Sequence, residues 1–86
     1  MNIHVSNLNL NTIDSDLRKL FSVYGEVNSA VVVRSNANGR SQGTAIVDME
    51  NDSQAVQAIL FLNHKMVNGK KISVTEVEYN PNSYRN

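Results

Sequence analysis

An α+β fold of order strand, helix, strand, strand, helix, strand is predicted by three features of the sequence. The spacing of apolar residues switches along the chain between alternation and three- and four-residue recurrence, in that order. The 86 residues, 41% of them hydrophobic, suffice for one compact domain with one core and leave no room for a second. The polar stretches "SNLNLNT", "SNANGRSQ" and "NHKMVNGK" fall between the periodic runs, where turns belong.

In "NIHVSNL" the apolar Ile3 and Val5 alternate with His4 and Ser6, which makes a strand with His4 facing outward. From Asp14 to Tyr24, Leu17, Leu20, Phe21 and Tyr24 form one stripe of an amphipathic helix. Asp14 is placed to cap its start by accepting a backbone N–H, and Gly25 to end it in the left-handed conformation. "EVNSAVVVR" is rich in β-branched residues and gives a strand from Val27 to Arg34. A third strand follows over Gly43 to Met49, with Ala45, Val47 and Met49 on one face and Thr44, Ile46 and Asp48 on the other. The second helix runs from Asp52 to Asn63, with Ala55, Val56, Ile59 and Leu62 as its buried stripe and Asp52 or Ser53 as its cap. "NHKMVNGK" reads as a turn-rich connection, and "KISVTEV" as the fourth strand. The domain is therefore set at residues 1–78, and 79–86, with no period, as a loosely ordered tail.

This order is the split βαβ arrangement, a ferredoxin-like sandwich. Right-handed crossovers put both helices on one face of a four-stranded antiparallel sheet, with the first and third strands in the middle. The other face is open. By alternation it carries His4, Val31, Val33, Thr44, Ile46, Lys71, Ser73 and Thr75.

Composition limits what such a face is for. Lysine plus arginine equal aspartate plus glutamate, so the formal charge is zero, and any attraction to phosphate must be local. Without cysteine there are no disulfides or thiolate metal sites, and the two histidines have no partner at ligand spacing, so no metal or other cofactor is expected. No basic leader with an apolar run and no span of about 18 apolar residues is present, which predicts a soluble cytoplasmic protein without membrane attachment. An enzyme is not expected. There is no Ser, His and acid in recognisable spacing and no Gly-rich phosphate loop, and "SNLNLNT" lacks the arginine with which acylphosphatases of this topology hold phosphate.

Over nearly its whole length the chain resembles the RNA recognition motif family. The first-strand hexamer of that family is matched by "IHVSNL" at Ile3, Val5, Asn7 and Leu8. The third-strand octamer, K/R-G-F/Y-G/A-F-V-x-F/Y, is matched by "QGTAIVDM" at Gly43, Ala45 and Val47. "DLRKLFSVYGEV", "AVQAILFLN" and "VNGKKISV" add agreement in order and spacing. The resemblance implies single-stranded RNA binding, with bases stacked on rings of the two central strands. It is similar in extent to the lone-domain RNA-binding proteins of bacteria.

Carried over by position, the three rings fall at His4, Thr44 and Ile46, and the basic first position of the octamer at Gln42. Only His4 keeps a planar ring. A base stack is worth about 1–3 kcal/mol, so two missing platforms weaken binding by roughly two to four powers of ten unless other contacts compensate. Weak to moderate binding of single-stranded RNA, or of single-stranded DNA, is the expectation. The compensating residues are Arg34 and Arg40 around the second loop, with Lys70 and Lys71, for phosphates; Gln42, Thr44, Ser73 and Thr75 for base edges; and Val31, Val33 and Ile46 for apolar contact. Tyr79 and Tyr84 could fold a ring back over the sheet, while Asp48 and Glu76 oppose phosphate at one end. The same aliphatic face leaves a second reading open, a protein partner or a homodimer held through Val31, Val33 and Ile46.

Overall fold

The computed structural model describes residues 1–77. The elements are β1 (Asn2–Ser6), α1 (Asp14–Ser22), β2 (Ser29–Arg34), β3 (Ser41–Asp48), α2 (Asp52–Leu62), the short pair β4 (Met66–Val67) and β5 (Lys70–Lys71), and β6 (Ser73–Val77). Four strands form one antiparallel sheet in the order β2-β3-β1-β6, so the first and third strands are central as expected. Both helices cover one face. The predicted boundary after residue 78, and the tail with Tyr79 and Tyr84, lie outside the described residues.

Alternation along the strands builds the core. Ile3 and Val5, Ala30 and Val32, Ala45 and Val47, and Val74 all point to the helices and are buried. Opposite them lie Leu17 and Phe21 from α1 and Ala55, Ala58 and Leu62 from α2, with Leu20, Tyr24 and Ile59 partly buried at the margin. Phe21 is fully enclosed, a position at which truncation to alanine costs about 3–5 kcal/mol. Val56, expected in the stripe, is instead 44% exposed. The stripe is 55, 58, 59 and 62, and Val56 is turned away from its centre by one residue's rotation.

Several ends differ from the sequence prediction for identifiable reasons. Asp14 does accept a backbone N–H, but from Val32 of β2 at 2.7 Å and not from its own helix. At the helix start the backbone N–H of Ile13 donates to Asp16 Oδ2 at 3.1 Å instead. Helix α1 stops at Ser22, and Gly25 has φ 159°, essentially extended. What Gly25 provides is room, since a Cβ there would lie 2.9 Å from Cβ of Gln54. The cap of α2 is Asn51, whose side chain accepts the Gln54 N–H at 3.0 Å. Strand β2 begins at Ser29, and just ahead of it the carbonyls of Val27 and Asn28 accept from the Arg18 guanidinium at 2.7 and 3.3 Å.

The connection "KMVNGKK" is a hairpin, in which Met66 pairs with Lys71 and Val67 with Lys70. Asn68 and Gly69 both have positive φ (50° and 82°), as a two-residue type I′ turn requires. Strand β6 consequently begins only at Ser73. On its outer side the backbone N–H of Val74 donates to Asn63 Oδ1 at 2.9 Å, as Val32 does to Asp14 across the molecule. Each outer strand thus has a donor satisfied by a side chain from one end of a helix.

Candidate nucleic-acid interface

The open face is built around a row that crosses all four strands. Val31 faces Ile46, Ile46 faces His4, and His4 faces Thr75. Because Ile3, Val5, Val32, Ala45 and Val47 point inward, this row points outward by the same alternation. His4 and Ile46 are half-buried among their neighbours, while Val31 is 53% exposed and Thr75 exposed. Thr44 and Ser73 continue the face, both half-buried, with Ser73 opposite Ser6. His4, Val31, Ile46, Thr44, Ser73 and Thr75 are therefore brought together as predicted.

Val33 and Gln42 meet an irregularity. Val32 pairs with Ala45 but Arg34 pairs with Ser41, so Val33 alone stands against Gln42, Gly43 and Thr44. Gly43 makes this bulge possible with φ 77° and a backbone carbonyl that accepts the Leu8 N–H at 2.9 Å. A Cβ there would lie 3.3 Å from the Leu8 carbonyl oxygen. Gln42 is exposed beyond the bulge, where simple alternation with Thr44 no longer fixes its direction. The glycine inside a strand pattern was the available signal.

Lys71 needs a correction. It belongs to β5 and pairs with Met66, so it is not in the four-stranded sheet and does not share a strand with Ser73 and Thr75. The hairpin claims it because Asn68-Gly69 folds the chain back, and the three residues after the turn precede β6. Its backbone carbonyl is nevertheless tied to the residue that follows β1, accepting from Asn7 Nδ2 at 2.8 Å. Lys71 is thus exposed beside the end of the sheet.

Register places the charges at opposite ends of the strands. Antiparallel pairing puts the end of β1, the end of β2 and the starts of β3 and β6 together. Arg34, Arg40 and the hairpin lysines Lys65, Lys70 and Lys71 lie at this end, all exposed. Among the described residues none of them is paired with a carboxylate. The guanidinium of Arg34 reaches back to the Gly39 carbonyl at 3.3 Å, over the loop whose other side is Arg40. Glu26, Asp48, Glu50, Asp52 and Glu76 lie at the other end. Asp48 alone of these projects from the open face of the sheet itself, next to the Met1 ammonium at 3.7 Å, since Glu76 pairs with Ile3 and falls on the helix side. Asp14 and Asp16 at the start of α1 share the first end, where the five cations outnumber them, so a molecule with no net charge presents a cationic end.

The rings outside this face have other tasks. Phe21 is core, and Tyr24 stacks on Phe61 across the two helices with centroids 5.9 Å apart and planes 5° apart. His64 adopts φ 69° at the turn after α2. Among the described residues no three His, Asp or Glu side chains gather as metal ligands, and no helix is long and apolar enough to cross a membrane.

Comparison with known proteins agrees with this architecture. A curated relative, glycine-rich RNA-binding protein 1 of Mycosarcoma maydis, is 33% identical over 79 residues, which is 92% of this chain and 45% of the relative. The chain thus spans less than half the length of that relative. The crystal structure of RNA-binding protein PG1 superposes with a TM-score of 0.90 at 40% identity, covering 94% of this chain and 98% of the other. An Sxl-lethal protein/RNA complex gives 0.86 at 29% identity, covering 92% and 47%. The family model for the RNA recognition motif matches residues 3–73, from the first inward residue of β1 to the first residue of β6. With strand order, central strands and open face all in place, the chain belongs to the RNA recognition motif family.

Proposed function

We propose that this domain binds single-stranded RNA, weakly to moderately, on the open face of its sheet. The observation that carries the reading is the continuous outward row of Val31, Ile46, His4 and Thr75 with a cationic end beside it. His4 supplies the one stacking ring, Ile46 and Thr44 the adjoining floor, and Ser73, Thr75 and Gln42 hydrogen bonds to base edges. Arg34, Arg40 and, from the hairpin, Lys71 hold phosphates. The likeness to RNA-binding proteins along nearly the full chain supports this reading. Single-stranded DNA presents the same phosphates and base faces and is expected to bind through the same row, less any contact made to the 2′-hydroxyl.

Titration of a short, fluorescently labelled single-stranded RNA pool tests the proposal. Saturable binding at about 50 mM salt that weakens steeply as salt rises is the expected result. No detectable binding at that low salt would overturn it. In the same titration, a domain whose sheet served protein contacts instead would show a dimer that survives dilution and is lost in Ile46→Asp.

A further inference from the structure

On the side of the molecule away from the open sheet face, a groove of about 510 Å³ runs between α1 and the β4–β5 hairpin. Its floor is aliphatic, formed by Leu17, Leu20 and Val67, and Val23 stands on its border with 79% of its surface exposed. The volume lies within the range of pockets that hold ligands. Lys19 and Lys65 flank it, and Lys70 pairs with Val67 and so shares that side of the hairpin. Among the described residues none of these lysines has an acidic partner. The one carboxylate on the groove, Asp16, is already engaged with the Ile13 N–H.

A second feature marks the same place. Thr12 borders the groove at 4% exposure, and its hydroxyl has no hydrogen-bond partner among the described residues. Sealing a hydroxyl from water without a partner costs about 1–3 kcal/mol. A segment that wedged the groove open would recover that cost by offering a backbone carbonyl.

We propose that this groove docks a short segment of a protein partner whose apolar side chains are flanked by aspartate or glutamate. The aliphatic floor takes the apolar anchors, and the unpaired lysines select the acidic flanks. Nucleic acid fits the groove less well. Its phosphates would find the lysines, but the floor of Leu17, Leu20 and Val67 is aliphatic, and the one ring on the lining, Tyr24, has one face stacked on Phe61. The domain would then hold RNA on one face and a protein on the other.

The test is selection of a displayed library of short random peptides against the full chain, with the double variant Lys19→Glu/Val23→Asp as counter-selection. Both substituted residues are exposed, and unchanged melting and RNA affinity of the variant show that its fold and its RNA face are intact. The expected result is a set of peptides with apolar anchors and acidic flanks that lose about ten-fold or more in affinity on the variant. Amide shifts should then map to Leu20, Val23, Lys65 and Val67. Enrichment without acidic bias, or no binder sensitive to the variant, overturns the proposal. So does a response of these four amides to single-stranded RNA, to dilution of the protein, or to removal of residues 78–86, which would assign the groove to RNA, a second copy or the chain's own end.

Discussion

His4 and Ile46 stand directly opposite one another on the two central strands of the sheet. Side chains so paired have Cβ atoms about 4.5–5.5 Å apart, so a base lying on the imidazole reaches the isoleucine as its next surface. Ile46→Phe is expected to supply a second stacking ring and raise RNA affinity about five- to 150-fold. Fluorescence anisotropy at fixed salt measures it; an unchanged affinity would mean that no base reaches β3.

His4→Ala should act in the opposite direction, by about 1–3 kcal/mol of binding free energy. Because His4 lies on the outer face, the melting temperature should hardly move. A variant that melted early but bound normally would mark His4 as a structural residue.

Arg40 sits on the β2–β3 loop at the cationic end, and Asp48 at the far end of β3, the strand that the loop leads into. Arg40→Ala should weaken all RNA sequences alike and lower the slope of log affinity against log salt by about 0.7, the loss of one phosphate contact to a single strand. Equal slopes before and after would remove Arg40 from the interface.

The bond from the Val32 N–H to Asp14 at 2.7 Å leaves an outer-strand donor dependent on one carboxylate. Asp14→Ala should cost about 1–3 kcal/mol of stability, read in a denaturant midpoint with unchanged slope. Asn63→Ala, which orphans the Val74 N–H, should cost a similar amount.

His64 holds φ 69°, a region where only glycine rests without penalty. His64→Gly is expected to be neutral or stabilising by up to about 1 kcal/mol, a direction rare among substitutions of folded residues. A loss of stability would show that the contact between the His64 ring and Asn63, at 3.3 Å, outweighs the backbone gain.

Most of the architecture was legible in local patterns. Alternation at Ile3 and Val5 and at Ala45 and Val47, and recurrence at Leu17 and Phe21, state which side of each element is apolar, and the order of elements then leaves one sheet with one free face. The row through His4 and Ile46 follows from that without further information. What failed to show was whatever depends on two distant segments meeting. Asp14 looks like a helix cap because the sequence displays the helix beside it and hides the strand end that claims it. Val56 fits the stripe by spacing and hydrophobicity, yet the small Ala58 is what the packing buries. Lys71 fits the alternation of the last strand, but Asn68-Gly69, the strongest short hairpin signal in the chain, stands just ahead of it and draws it into β5. The glycine at 43 likewise announced a bulge.

The bonds of Asp14 to Val32 and of Asn63 to Val74 bear on how the protein behaves when crowded. A sheet with bare borders is a template onto which further strands add, from another copy or from an extended peptide. Here an incoming strand would find the N–H of Val32 on one border and that of Val74 on the other already taken by a side chain. Growth sideways into fibres is discouraged at one position on each rim, which favours the broad face of the sheet for recognition, where selectivity comes from side chains rather than from the backbone common to every protein.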